Sequence, residues 1–153
     1  MKRLIVNADD FGLSPEVNAG IMRAHRDGIL RCASLMVAEP SARAAAELAR
    51  DNPALDVGLH AVVCRGRSML TASRLGAAVS ASGEFMDSPV AAGMRYFFDR
   101  SMRAAMTDEL RAQVERQRSV MMQPSLEGRD FAGEGVKEKN QSPDLILTFL
   151  KRA

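Results

Sequence analysis

Two kinds of ionisable side chain in this sequence could together hold a divalent cation. Asp9 and Asp10 close the short, largely apolar stretch that begins at Leu4, and His60 lies in a later apolar stretch. Carboxylate and imidazole groups are both common metal ligands. Because side chains alternate along a strand, Asp9 and Asp10 are expected to play different parts, one binding metal and its neighbour orienting or deprotonating a water. The residues therefore predict half of a site for metal-assisted hydrolysis.

Each of these residues also has a simpler interpretation. Aspartates are frequent in turns, where they bond to nearby backbone groups. A single histidine at a strand end is commonly a structural hydrogen-bonding group. His25 falls in the first predicted helix and is interpreted as a surface or helix-end residue. The metal hypothesis thus depends on elements that bring Asp9, Asp10 and His60 together.

The first 63 residues alternate between strand and helix patterns. Strands are predicted from Leu4, over 29–37 and over 55–63, the last with His60 near its middle. Helices are predicted from Ser14-Pro15 to Asp27 and from Pro40-Ser41 to about residue 50. This order predicts an α/β fold with a parallel sheet, in which ligands bind at the carboxyl ends of the strands.

The second half of the chain carries weaker strand signals. Residues 64–88 lack a sustained period and are predicted to form a long loop of the kind that binds ligands or closes over a site. Helical patterns return over 89–99 and 101–122, with Met106, Leu110, Val114 and Gln117 on one stripe. Residues 123–153 contain few apolar side chains before position 145 and are predicted to be a flexible tail. We therefore expect one domain over 1–122 followed by a tail over 123–153.

Composition excludes several classes of protein. The 153 residues carry a net charge of +2, with 21 basic and 19 acidic side chains spread along the chain, so no nucleic-acid partner is predicted. No segment has the length of a membrane span, and the N-terminal apolar run is too short for a signal peptide. Cys32 and Cys64 lie far apart and are expected to be reduced thiols in a cytoplasmic protein.

Four segments together resemble a known family. They are Leu4-Ile5-Val6-Asn7-Ala8-Asp9-Asp10-Phe11-Gly12-Leu13-Ser14, Val17-Asn18, Ser34-Leu35-Met36-Val37 and Val57-Gly58-Leu59-His60. Their order and spacing are similar to the opening of the carbohydrate deacetylases of the YdjC type. Asp87-Ser88-Pro89 and Arg95-Tyr96-Phe97-Phe98-Asp99 are closer to the branch associated with hopanoid biosynthesis. The resemblance covers about residues 1–118.

This resemblance implies a fold, an activity and a set of site residues. The family has a (β/α) barrel-like fold, is usually dimeric, and removes acetyl groups from N-acetylated amino sugars with a divalent metal. Carried over by position, Asp9 matches the catalytic carboxylate, and Asp10 and His60 match two metal ligands. Two named ligands do not distinguish Mg²⁺ from Zn²⁺, so the identity of the metal stays open. Residues 1–122 are then the N-terminal part of a deacetylase-like domain with a sugar substrate and a homodimeric state.

The sequence also departs from the family's pattern. Family members carry an Asp-x-His-x-His segment that supplies a further metal ligand, whereas this chain has no histidine after His60. A closed barrel needs about 250 residues, so we expect a shortened deacetylase with a partial barrel-like sheet covered by the helices over 89–122. The alternative is an inactive remnant that keeps a weak metal or sugar contact, or none. A receiver-like signalling domain fits less well, because it needs an aspartate after the third strand, where this chain has His60.

Overall fold

The computed structural model describes residues 4–122 of the chain. The predicted tail over 123–153 lies outside these residues, so that expectation stays a prediction. Strands and helices alternate at first, and helices follow: β1 Asn7–Phe11, α1 Pro15–Asp27, β2 Cys32–Leu35, α2 Ala42–Asp51, β3 Asp56–Leu59, α3 Ala72–Leu75, a 3₁₀ turn Gly76–Ala78, α4 Pro89–Phe98 and α5 Arg100–Met122.

The three strands form one parallel sheet in the order β1-β2-β3. Asn7 pairs with Cys32 of β2, and Cys32 in turn pairs with Asp56 of β3. The prediction of an α/β fold with a partial barrel-like parallel sheet and a helical cover is therefore confirmed. Because the strands run in one direction, the loops that follow them lie at the same edge of the sheet.

The start of α1 follows from local chemistry. The Ser14 hydroxyl accepts a 3.3 Å hydrogen bond from the Val17 backbone N–H, and Pro15 occupies the first turn, where a missing N–H costs nothing. Near the other end, His25 lies in the last turn of α1, as expected of a helix-end residue, but it is buried rather than on the surface. Its Nδ1 is 2.8 Å from the Leu30 carbonyl oxygen, which ties the helix end to the chain entering β2.

The prediction that Leu4 begins a buried strand is wrong. Leu4 and Ile5 are 83% and 79% exposed, and β1 begins only at Asn7. The register explains this difference, because Asn7 pairs with Cys32, the first residue of β2. Residues 4–6 therefore extend beyond the end of their neighbouring strand, and Asp9 and Asp10 lie inside β1 instead of after it.

The two faces of the sheet differ in chemistry. On one face, Ala33 and Leu35 of β2 pack with apolar residues of α1 and α2, such as Ile21 and Ala45, in a buried core. The opposite face carries Asn7, Asp9, Cys32, Ser34, Asp56 and Gly58, none of which is buried. We call this second surface the open face. Within residues 4–122 it is polar, which is unusual for a parallel sheet and places hydrogen-bonding groups where solvent can reach them.

Helix α5 supplies the predicted helical cover, but with a different buried stripe. Met106 and Gln117 are buried as expected, whereas Leu110 and Val114 are only partly buried. Two polar residues, Glu109 and Gln113, are almost completely buried on this helix. Gln113 accepts a hydrogen bond from the Val62 N–H and donates one to the Val62 carbonyl, so α5 satisfies the backbone of the segment that follows β3.

The long loop predicted over 64–88 contains short ordered elements that the sequence did not predict. Besides α3 and the 3₁₀ turn, isolated antiparallel bridges join Arg67 to Glu84 and Val79 to Phe85. Leu75 and Phe85 pack with Met102 and Met106 of α5 in a second apolar core. The irregular periodicity of this segment reflects short elements, each of which buries only one or two side chains.

Two further observations concern the whole described part of the chain. Cys32 and Cys64 are unpaired, as expected for reduced thiols. Among residues 4–122, no helix has both the length and the apolar character needed to cross a bilayer.

Candidate active site at the strand ends

An irregularity in β1 sets the directions of its two carboxylates. The pairing with β2 shifts register between Ala8 and Phe11, and Asp10 has a φ of 63°, in the left-handed region. Such a shift resets the alternation of side chains along the strand. Phe11 is consequently fully buried, although Asn7 and Asp9, the alternate residues before it in β1, are exposed. Asp10 follows Asp9 at the bend, beside the end of β3.

Asp9 is held on the open face by two neighbours. Its Oδ1 accepts hydrogen bonds from Asn7 Nδ2 at 2.8 Å and from the Ser34 hydroxyl at 2.7 Å. Within residues 4–122, no hydrogen bond reaches its second carboxylate oxygen, Oδ2. The carboxylate is therefore oriented through Oδ1, while Oδ2 has no hydrogen bond within the described residues.

Asp10 lies against His60, which directly follows β3. The Asp10 backbone N–H donates to His60 Nδ1 at 3.2 Å, so Nδ1 is the unprotonated nitrogen of the ring in this arrangement. Oδ1 of Asp10 lies 3.5 Å from the same nitrogen. The His60 side chain is partly exposed, and that of Asp10 is about half exposed. The predicted meeting of residues from the first and third strands is thus present, with an imidazole lone pair beside a carboxylate oxygen.

These acceptor atoms fit a small cation in part. The Ser34 hydroxyl lies 3.3 Å from His60 Nδ1, and its proton is directed to Asp9. The Ser34 hydroxyl oxygen, Asp10 Oδ1 and His60 Nδ1 thus lie together as acceptors. Two ligands of a tetrahedral ion, each about 2.1 Å from the metal, are about 3.4 Å apart, close to the 3.5 Å between Asp10 Oδ1 and His60 Nδ1. A cation bound there would replace the Asp10 N–H on the single lone pair of Nδ1. Among residues 4–122, however, no group of three or more His, Cys, Asp or Glu side chains could hold a metal.

The loops beside this site are held by Asn18 of α1. Its Oδ1 accepts a 2.7 Å hydrogen bond from the Gly12 N–H, and its Nδ2 donates to the Ser41 carbonyl before α2. Gly12 has a φ of 96°, and a Cβ there would lie 3.1 Å from atoms of Leu35, Met36 and Ala42. Glycine is required because the chain turns sharply after Asp10 against the following loop.

Ser34, Asn7 and Asn18 are site-supporting residues that sequence reasoning did not assign. The signal for Ser34 was its place in β2, between the buried residues Ala33 and Leu35 and hence on the other face of the strand. Its contact with Asp9 could not be found in this way, because it depends on the register between β1 and β2.

Comparisons with known proteins agree with this architecture. The family model described as YdjC-like protein matches residues 3–126. A carbohydrate deacetylase from Geobacillus stearothermophilus is 47% identical over 81 residues, which are 53% of this chain and 32% of that protein. One from Thermoanaerobacter pseudethanolicus is 33% identical over 117 residues, covering 76% of this chain and 43% of that protein.

A solved structure is also similar. It is the crystal structure of a putative cellobiose-phosphate cleavage protein from Enterococcus faecalis V583, with a TM-score of 0.66 and 26% identity. The match covers 78% of this chain and 45% of that one. The chain spans about a third of the length of the curated relatives it matches. Since the family model covers most of its residues, including Asp9, Asp10 and His60, the chain belongs to the YdjC-like protein family.

Proposed function

We propose that this chain carries the first part of the active site of a metal-dependent carbohydrate deacetylase, which removes acetyl groups from N-acetylated amino sugars. The observation that carries the proposal is the 3.5 Å approach of Asp10 Oδ1 to His60 Nδ1. Asp9 is oriented beside them by Ser34. The names of the relatives support the substrate class. Two protein ligands with several waters suit Mg²⁺, whereas an imidazole ligand and the tetrahedral spacing suit Zn²⁺, so the proposal includes either metal.

Each residue has a defined part in this mechanism. Asp10 and His60 would hold the cation, which when bound polarises the acetamide carbonyl and stabilises negative charge on its oxygen. Asp9, oriented through Oδ1, would take the proton of the attacking water on Oδ2 and return it to the departing amine. Attack of the water oxygen on the carbonyl carbon and cleavage of the C–N bond then give acetate and a free amino sugar. Ser34 fixes the direction of the Asp9 carboxylate.

Calorimetric titration with Mg²⁺ and Zn²⁺ tests the cation site. We expect binding by the 153-residue protein, loss of binding in Asp10→Ala and His60→Ala, and unchanged affinity in Asp27→Ala, which removes an exposed carboxylate elsewhere on α1. Equal affinity in all four proteins would disprove the cation site.

Release of free amine from an oligomer of N-acetylglucosamine tests the reaction. Asp9→Asn keeps the size and one acceptor oxygen of the side chain but cannot take up the proton, so we expect turnover to fall to background. A hopanoid-linked glycan in the same assay tests the branch that the sequence resembles. We also expect a cytoplasmic protein, which the unpaired cysteines support, and a homodimer, which light scattering would test.

A second candidate function rests on the number of ligands. No third His, Cys, Asp or Glu side chain completes the site within residues 4–122. A non-catalytic protein that retains metal or sugar binding would have this donor set. It predicts weak cation binding or none, and an equal amine signal from the wild type and Asp9→Asn, so the two experiments together separate the candidates.

A further inference from the structure

A cleft of about 650 Å³ lies at the same edge of the sheet as Asp10 and His60. All three loops that follow the strands contribute to it, through Leu13, Glu39, Arg65 and Arg67, and Glu84 and Asp87 also line it. The Leu13 N–H donates to the Asp10 carbonyl at 3.1 Å, so the cleft begins on the turn that contains Asp10. Its volume falls in the range of about 300–1,000 Å³ found for small-molecule sites.

One wall of this cleft is a short antiparallel ribbon of residues 64–68 and 83–87. Its backbone bonds run from Arg65 N to the Met86 carbonyl at 3.2 Å, from Phe85 N to the Gly66 carbonyl at 2.8 Å and from Ser68 N to the Gly83 carbonyl at 2.9 Å. Arg65 and Arg67, two positions apart, both line the cleft. The arginines are thus presented by a paired backbone rather than by a free loop.

Glu39 fixes the bend of the ribbon from the loop after β2. Its Oε1 accepts a 2.8 Å hydrogen bond from the Arg67 N–H. Arg65 and Gly66 have φ values of 51° and 127°, both in the left-handed region. A Cβ on Gly66 would lie 3.0 Å from Glu39 Oε1, so the carboxylate packs directly on the glycine. A non-glycine residue in this conformation is uncommon and is often found at functional sites.

The charges of the lining indicate what the cleft can bind. Two arginines and three acidic residues, Glu39, Glu84 and Asp87, line it together. The Nε of Arg65 donates to the Asp87 carbonyl at 2.9 Å, which leaves its terminal nitrogens to contact a ligand. A free anion would meet more carboxylates than guanidinium groups. A sugar hydroxyl both donates and accepts hydrogen bonds, so a ring with several hydroxyls can use both kinds of side chain.

We propose that the ribbon forms a subsite for an uncharged sugar ring next to the ring that loses its acetyl group, with Arg65 and Arg67 contacting its hydroxyls. Glu39 is a positioning residue that holds Arg67 in place. The proposal rests on the proposed function for the identity of the neighbouring ring. It adds a specificity determinant, because a substrate of two rings gains contacts that a single ring cannot reach.

Nuclear magnetic resonance titration of the 153-residue protein with the disaccharide of N-acetylglucosamine, in the presence of EDTA, tests the subsite without metal or turnover. We expect shifts at the amides of residues 65–67, and affinity about fivefold weaker or more in Arg67→Ala. Arg111→Ala, which removes an exposed arginine of α5, should leave the affinity unchanged. Disaccharide shifts that avoid the ribbon would overturn the proposal, as would tighter binding of inorganic phosphate than of disaccharide at residues 65–67.

Substitution of Glu39 separates positioning from a general loss of structure. Glu39→Gln keeps an oxygen that accepts from the Arg67 N–H and should bind the disaccharide like the wild type, whereas Glu39→Ala should resemble Arg67→Ala. Equal binding by the Ala and Gln variants, with unchanged melting temperatures, would remove the positioning role. Disaccharide binding at the ribbon without cation binding would preserve the subsite and refute the proposed function. Cation binding and acetyl release with no effect of Arg67→Ala on disaccharide affinity would refute the subsite and preserve the proposed function.

Discussion

The hydroxyl of Ser34 donates a 2.7 Å hydrogen bond to Asp9 Oδ1 and thereby joins β2 to the carboxylate of β1. The Ser34 hydroxyl oxygen also lies 3.3 Å from Nδ1 of His60, which directly follows β3. One small side chain therefore contacts groups from both neighbouring strands. It can fix the direction of the carboxylate and stay close to the imidazole without being a charged ligand itself.

Replacing Ser34 with alanine should weaken the cation site without unfolding the protein. Residues that orient metal ligands typically contribute about 10- to 100-fold to metal affinity. We expect the lower end because Ser34 contacts one proposed ligand, His60, at 3.3 Å and donates its proton to Asp9, which is not a ligand. Calorimetric titration measures the change. Ser73→Ala, an exposed serine whose hydroxyl contacts only Thr71 among the described residues, is the control. Affinity equal to that of the wild type would show that Ser34 has no part in holding the cation.

Two glycine substitutions should change stability in opposite directions. Gly12→Ala should destabilise the fold by about 1–3 kcal/mol, because its φ is 96° and the new Cβ would lie 3.1 Å from backbone and side-chain atoms. Gly20→Ala, within α1 and with nothing near its Cβ position, should stabilise it by up to about 1 kcal/mol. Urea unfolding measures both. A neutral or stabilising Gly12→Ala would contradict the sharp turn after Asp10.

Removing the buried carboxylate of Glu109 should cost much more than removing an exposed one on the same helix. Glu109 accepts hydrogen bonds from the backbone N–H groups of Met69 and Leu70 and from Gln113 Nε2. Glu109→Ala leaves these donors unpaired in the interior, and we expect a loss of about 3 kcal/mol in the free energy of unfolding. The exposed Glu115→Ala should change it by less than about 0.5 kcal/mol. Similar losses in both variants would refute the structural role of Glu109.

Tyr96 should give the fold a dependence on alkaline pH. Its hydroxyl donates a 2.7 Å hydrogen bond to the Val63 carbonyl, and burial raises its pKa above the ordinary value of 10.0, with a smaller contribution from Cys64. Because the folded state favours the neutral phenol, this stabilisation is complete below the pKa of the unfolded chain and is lost as the pH rises through the higher folded value.

Comparison with Tyr96→Phe isolates this effect from other titrating groups. At neutral pH the variant should be less stable by about 1 kcal/mol, since it lacks the hydrogen bond to Val63. Above the ordinary pKa of tyrosine, the stability difference between the two proteins should shrink. Urea midpoints measured across that range provide the test, and a constant difference would show that the Tyr96 hydroxyl does not titrate with folding.

Local signals in the sequence were sufficient for the order of elements and for several of their ends. Helix α1 begins at Ser14-Pro15 and ends before Gly28, as predicted, because capping and termination depend on residues within one turn of the helix. The alternation of strand and helix predicted the parallel sheet. Carboxylates on the first predicted strand and a histidine on the third predicted that Asp10 and His60 would meet.

Contacts between distant residues decided the rest. The left-handed conformation of Asp10 and the register of β1 on β2 buried Phe11, left Leu4 and Ile5 exposed and placed Ser34 against Asp9. Buried Glu109 likewise gains its partners from a segment 39 and 40 positions earlier. A residue's type limits which bonds it can make, but the free energy of burying a polar group depends on partners that only the packed chain supplies.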